Sequence, residues 1–283
     1  GSHQAVAGKG GVVMNMKSWL GLMDDIAPLS IQEPWDNSGL QIDYGNEEVQ
    51  RVLVALEITG EVIEEAVSKI TNMIVVHHPL IFDPLRSIDS ATIEGDYIVR
   101  LIRSGISVYA AHTCFDSAKN GNNDYLMGLL GIQRFSRLNM PGKGFEESTL
   151  ARVGMLPEPL PFYQFLERLN RALGNPGGIK VSGDRSRLVQ KIAVCCGGGG
   201  EYYQGALCAG ADVFVSGDIK HHEAQRARES GLAVVDAGHY GTERIFVENM
   251  AAQLRSKSEG ALTVVESEVV QNPYDYILPH NNE

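Results

Sequence analysis

Two stretches decide how this chain folds: Gly105-Ile-Ser-Val-Tyr-Ala-Ala-His112-Thr-Cys-Phe-Asp116 and Gly231-Leu-Ala-Val-Val-Asp-Ala-Gly-His239-Tyr-Gly-Thr-Glu243. Each opens on glycine, runs through apolar residues to a histidine, and places a carboxylate four residues further on. A short apolar run reads as a strand buried on both faces of a sheet. Each histidine and its carboxylate should therefore emerge where a strand gives way to a loop or helix. In open α/β sheets, ligand sites gather at those strand ends. Upstream, Ile74-Val-Val-His77-His78-Pro79 is a third apolar run that stops at histidine, so three strand ends are available to one metal site.

Working outward, a strand at 52–56, a helix at 61–69 and a strand at 73–76 make a βαβ unit. A helix near 97–103 leads into the strand that ends at His112. The later part repeats this order: strand 192–195, helix 201–209, strand 213–215, helix 223–229 and strand 233–236, with His221-His222 echoing His77-His78. We read an α/β fold of two similar βαβ-based lobes related by internal duplication. The expected division is a tag and disordered segment at 1–13, a first lobe at 14–133, and a linker with the second lobe at 134–283. Gly1-Ser2-His3 reads as an expression tag, 139–148 as an exposed linker, and 272–283 as a tail that docks or frays. Helices are also expected at 19–27, from Phe162 to a Gly174 cap, and from about 245 to 254.

The 283 residues suffice for two α/β units, and 43% hydrophobic residues allow a sizeable core. A net charge of -11, from 24 basic and 35 acidic side chains, argues against an extended nucleic-acid surface. No apolar run reaches the length of about eighteen residues that a membrane-spanning helix needs. Cys114, Cys195, Cys196 and Cys208 match neither a zinc-knuckle nor a disulfide spacing. They read as small buried residues in a reducing, cytoplasmic protein.

Histidines and carboxylates without cysteine suit a divalent metal in an open catalytic site. Two such ions roughly 3.5–4 Å apart can hold and deprotonate a water. His77 and His78 are adjacent, so in an extended strand they would point to opposite sides, and both reach one site only if the chain turns at Pro79. His239 and Glu243 have the spacing that shares one helix face. His112 and Asp116 have it too, although Asn120-Gly121-Asn122-Asn123 predicts a loop there. Cys195-Cys196-Gly197-Gly198-Gly199-Gly200 stands between a strand and a helix, either as a phosphate cradle or as a tight turn. It lacks the G-x-G-x-x-G pattern and the P-loop lysine. Asp218 reads equally as a support for a ligand or as a helix cap.

In these motifs the chain resembles the Nif-three-like family, also described as GTP cyclohydrolase I type 2 homologues. The motifs are Trp35-Asp36-Asn37-Ser-Gly39-Leu40, Ala55-Leu56-Glu57-Ile58-Thr59, His77-His78-Pro79-Leu80-Ile81-Phe82, His112-Thr113-Cys114-Phe115-Asp116, Ser216-Gly217-Asp218 and Gly238-His239-Tyr240-Gly241-Thr242-Glu243. The resemblance implies a two-lobed α/β protein with a metal site between the lobes, assembled as a homohexamer, with two divalent ions per chain: iron, zinc or manganese. It assigns His77, His78, Asp116, His239 and Glu243 as metal ligands, Glu243 as a bridge, and His112 and His222 as proton-transfer candidates. Glu57 stands where the family more often has aspartate. The stretch from Arg134 to Arg185 is too short for the inserted domain of longer members. The resemblance further implies a metal-dependent hydrolase acting on a nucleotide or similar heterocycle, with water attacking C8 of a purine. The alternatives are a metal-dependent phosphoesterase and a non-enzymatic metal-binding regulatory protein.

Overall fold

The computed structural model describes residues 6–8, 11–141, 147–174 and 177–277. The Gly1-Ser2-His3 tag, the middle of the expected linker and the end of the expected tail lie outside these residues. In chain order the first elements are β1 (Val6–Gly8), β2 (Gly11–Asn15), α1 (Met16–Ile26), β3 (Gly39–Ile42), β4 (Glu48–Val49), β5 (Arg51–Ala55), α2 (Gly60–Ser68), β6 (Met73–Val76), α3 (Ile93–Arg103), β7 (Ser107–Ala110) and α4 (Thr113–Ser117). There follow α5 (Asn122–Leu129), β8 (Phe135–Asn139), β9 (Glu147–Pro161), α6 (Phe162–Ala172), β10 (Lys180–Ser182), β11 (Leu188–Val194), α7 (Tyr203–Cys208), β12 (Val213–Ser216), α8 (His221–Glu229), β13 (Ala233–Asp236), α9 (His239–Glu243), α10 (Ile245–Lys257) and β14 (Thr263–Glu266).

The chain forms two compact units, 1–121 with 246–270 and 122–245 with 271–283. This differs from the contiguous division expected at 133/134, because α10 and β14 return to the first unit. Within the first unit β14 lies parallel to β5, and β14, β5, β6, β7 and β3 form one five-stranded sheet in that order. Strands β5, β6 and β7 are parallel, and β3 runs antiparallel to β7. Their residues are buried almost throughout, as expected of a sheet covered on both faces. Helix α1 is capped by the Asn15 side chain, which accepts from the Ser18 amide, and buries Trp19, Leu22, Met23 and Ile26 at helical spacing. Where a tag and disordered segment were expected, β1 and β2 pair as an antiparallel ribbon, continued by β4.

In the second unit the sheet order is β10-β13-β12-β11-β9-β8. The parallel trio β11, β12 and β13 alternates its side chains between two cores. Val194, Val213, Val215 and Val235 pack with Phe162 and Phe165 of α6, whereas Ala193, Phe214 and Val234 pack with Tyr203, Ala206 and Ala227 of α7 and α8. At the two edges of the expected linker at 139–148, Asn139 of β8 pairs with Glu147 of β9. Strand β9 itself was not expected from the sequence. Its Pro157 and Pro159 signal a break, yet they fall where the pairing with β11 jumps from Met155–Lys191 to Leu160–Val189, and such an irregularity tolerates residues without an N–H.

Four strands of each sheet share one plan: three parallel strands in chain order, with the preceding strand antiparallel to the third. The glycine that opens each diagnostic stretch has a defined place in it. Gly105 (φ 67°) and Gly231 (φ 80°) are the left-handed residues that end α3 and α8 and turn the chain into β7 and β13. No helix among the described residues is long and apolar enough to cross a membrane.

Candidate functional site

In the first unit, the carboxyl ends of β5, β6 and β7 bring four candidate ligands together. The amides of His77 and His78 both donate to the Leu56 carbonyl, at 2.9 and 3.0 Å, which interrupts the strand pleat. The two rings therefore lie close together, with centroids 5.2 Å apart, rather than on opposite sides. Side-chain nitrogens of His77, His78 and His112 lie within 4.8 Å of one another. Asp116 joins them because the segment after His112 is the short helix α4 rather than the expected loop, and its Oδ2 lies 3.4 Å from His77 Nε2. Glu57, at the end of β5, stands 4.0 Å from His78 Nδ1.

The protonation of this group is set by its acceptors. Fully buried His77 places Nδ1 2.8 Å from the Ala111 carbonyl, which can only accept. When the ring is neutral, its proton sits on Nδ1 and the Nε2 lone pair faces Asp116 Oδ2. A lone pair facing a carboxylate oxygen is the arrangement a cation resolves, and a histidine anchored through its other nitrogen is the usual form of a metal ligand.

His112 is held by Asp36, a residue whose motif was visible in the sequence but whose role was not. His112 Nδ1 lies 2.8 Å from Asp36 Oδ1, while Asp36 Oδ2 accepts from the Thr113 amide, the Thr113 hydroxyl and the Ser38 hydroxyl. Burial pushes the Asp36 carboxyl up, but the His112 hydrogen bond and charge and the two Thr113 hydrogen bonds outweigh it. The group stays well below the ordinary carboxylate range. An ionised, fully covered carboxylate thus fixes the His112 ring, which keeps a ring nitrogen within 4.8 Å of those of His77 and His78.

In the second unit, Gly238 (φ 84°) turns the chain into α9, which carries His239 and Glu243 on one face. His239 Nε2 is 3.1 Å from Glu243 Oε2, and Nδ1 is 2.8 Å from Asp218 Oδ2. The Glu243 hydrogen bond pushes the imidazolium up, burial opposes it, and the Glu243 charge and Asp218 add to the rise, so the ring of the metal-free protein titrates at about 9. Asp218 adopts φ 51°, a left-handed conformation uncommon for a residue with a side chain, in the turn that brings its carboxylate to His239. The structure thus favours the support role for Asp218 that the sequence left open.

The glycine run is explained by the same residues. A Cβ on Gly197 would press on Glu243 Oε1, with Glu243 Cδ at 3.1 Å and His239 Nε2 at 3.5 Å, and one on Gly198 would sit 3.5 Å from His239 Nδ1. Two amides of the run are committed internally, Gly197 to Thr242 Oγ1 at 2.8 Å and Gly199 to Ser216 Oγ at 3.1 Å. Tight packing, of Gly197 and Gly198 against the His239–Glu243 pair and of Gly199 and Gly200 against Cys195 and Glu223, accounts for the glycines without a phosphate cradle. His222 is exposed on α8 and belongs to none of the His/carboxylate groups near enough to share an ion. Cys114, Cys195 and Cys196 are buried as expected, but Cys208, at the end of α7, is exposed.

The donor sets fit a divalent cation. His77, His78 and Asp116 on one unit and His239 and Glu243 on the other offer imidazole nitrogens and carboxylate oxygens alone, and Gly197 leaves open the space that a Cβ would fill beside Glu243. Two mixed α/β sheets with histidine–carboxylate groups at their strand ends define the class: an α/β protein with candidate metal-ligating sites. The chain belongs to the Duf34/NIF3 (NGG1p interacting factor 3) family, whose model matches residues 14–273. A GTP cyclohydrolase 1 type 2 homolog of Clostridium acetobutylicum is 33% identical over 249 residues, 88% of this chain and 91% of that protein. The GTP cyclohydrolase 1 type 2 of Helicobacter pylori is 30% identical over 85% of this chain and 92% of its own. The crystal structure of a hypothetical protein from Staphylococcus aureus matches with a TM-score of 0.84 at 29% identity, covering 93% of this chain and 99% of that one.

Proposed function

We propose that this protein is a dinuclear metal-dependent hydrolase acting on a nucleotide or related heterocycle. The residues that the family resemblance assigns, His77, His78, Asp116, His239 and Glu243, would supply the ligands of two divalent ions, with Glu243 serving both. The observation that carries this reading is His77: its proton is fixed on Nδ1 by the Ala111 carbonyl while Nε2 faces a carboxylate. Two such ions supply Lewis acidity and lower the pKa of a coordinated water to about 7. His112, oriented by Asp36, accepts and returns the proton. Glu243 and Asp218 hold His239, and Gly197 and Gly198 keep the space around that pair clear. The names of the relatives support a purine nucleotide as the first substrate to try.

The shared strand plan of the two sheets supports an internal duplication. We extend the proposal to a homohexamer in a cytoplasmic setting, as the family resemblance implies. Elemental analysis after reconstitution with iron, zinc or manganese is expected to give two ions per chain, and Glu243→Gln to lose both. Formate release from GTP would identify the cyclohydrolase reaction, and phosphate release a phosphoesterase. Absence of bound metal after reconstitution would refute the reading. Light scattering tests the assembly independently, with a monomeric mass refuting the hexamer.

A further inference from the structure

Beside the His77, His78 and His112 group stand two exposed aromatic rings. Trp35 is 57% exposed and Phe82 44% exposed, with ring centroids 6.1 Å apart, and Trp35 meets His112 edge-on at 6.0 Å. Several hydrogen bonds hold the segment that carries Trp35 and the residue before Phe82. The Glu33 amide donates to Thr113 Oγ1, the Ser38 amide to Gln32 Oε1, and Asp36 accepts from His112 and Thr113. Asn37 Nδ2 donates to the Ile81 carbonyl at 2.6 Å, and the Ile81 amide donates to Gln41 Oε1 at 2.9 Å, which clamps the Phe82 segment to the Trp35 segment. Two large rings are thus presented to solvent on a braced support.

We propose that Trp35 and Phe82 form a subsite for a planar unsaturated heterocycle, which stacks on the indole and is held beside His112. Three features favour this occupant. The indole face matches one bicyclic heterocycle rather than a helix, and the Phe82 ring, tilted 45° to it, closes one side. The pair is continuous, through the Trp35–His112 contact, with the residues proposed to act on the substrate. It is also preformed, so little ordering entropy opposes binding, and stacking on an aromatic face accepts any base-like ring. The inference rests on the proposed hydrolase for the identity of the reacting centre, but ring binding can be measured without it.

The test exploits the two tryptophans. Trp19 is fully buried, so iodide quenching of tryptophan fluorescence reports Trp35. Guanosine is expected to protect Trp35 from iodide saturably, in metal-free and metal-loaded protein alike, whereas ribose 5-phosphate and inorganic triphosphate do not. By calorimetry, Trp35→Ala should weaken guanosine binding about five- to 150-fold and Trp35→Phe much less. Circular dichroism and metal content should be unchanged in both variants. Protection in metal-free protein that never takes up metal would sink the hydrolase but keep the subsite. The subsite is overturned if guanosine gives no protection, or if inorganic triphosphate protects equally. It is also overturned if protection appears without ligand and rises with protein concentration in step with light-scattering mass, because a second copy of the chain then covers the two rings.

Discussion

Replacing Gly197 with alanine separates the cost of a backbone conformation from the cost of crowding Glu243, a proposed metal ligand. Gly197 has φ 78°, and an added Cβ would fall within 3.0 Å of Glu243 Oε1, a separation that real Cβ atoms do not adopt. Gly231 has φ 80° with nothing within 4 Å of the same position, so Gly231→Ala carries the conformational cost alone. That cost is about 1–2 kcal/mol. At roughly 2–4 °C per kcal/mol for a protein of this size, each variant should lose several degrees in Tm. The steric push is different in kind, because Glu243 Oε1 is the end of a flexible side chain that yields cheaply. To regain an ordinary contact the carboxylate must retreat on the order of 1 Å, whereas metal–ligand distances tolerate about 0.2 Å. Gly197→Ala is therefore expected to match Gly231→Ala in thermal stability within about 1 kcal/mol and to lose metal at the His239–Glu243 pair, while Gly231→Ala retains it. Thermal denaturation of the metal-free variants and elemental analysis after dialysis against limiting metal read the two effects separately. Wild-type metal content in Gly197→Ala, or equal loss in both variants, would refute the steric argument.

Three further outcomes follow from the site. In the metal-free protein the folded pKa of His239 is about 9, above the ordinary value of 6.5, so its contribution to stability is complete below pH 6.5 and disappears as the pH rises through 9; thermal denaturation across that window should show the loss, and His239→Gln should flatten it. Asp36→Asn removes the charge that fixes the His112 ring, and turnover on the substrate once found should fall roughly 10- to 100-fold, with nitrogen NMR showing loss of the Nδ1-protonated tautomer; an unchanged tautomer would remove the orienting role. At neutral pH a thiol reagent should modify exposed Cys208 rapidly in the folded protein and Cys114 only on unfolding, since Cys114 is buried and its thiol is pushed up to about 11 by that burial; mass spectrometry of the labelled peptides checks the order.

What the sequence determined by itself is the set of buried parallel strands and what hangs from their ends. The runs at 73–76 and 233–236 match β6 and β13 residue for residue, because a strand covered on both faces is a near-continuous apolar run and so announces itself locally. The histidines at those ends, and the His239–Glu243 helix face, were legible for the same reason. The rest depended on partners distant in the chain. Strands β3, β8, β9, β10 and β14 have mixed composition, and β9 contains three prolines, so only pairing with a neighbour makes them strands. The contiguous two-lobe division failed because α10 and β14 belong to the first unit by a parallel pairing of Thr263 with Arg51, which no local pattern records. Asp36 reaches His112 across 76 positions, and the glycines at 197 and 198 are required by the side chains of Glu243 and His239. Residue types with metal-binding chemistry can be read one by one, but the tautomer, the reach and the free space of a ligand are set by neighbours that only the folded chain supplies.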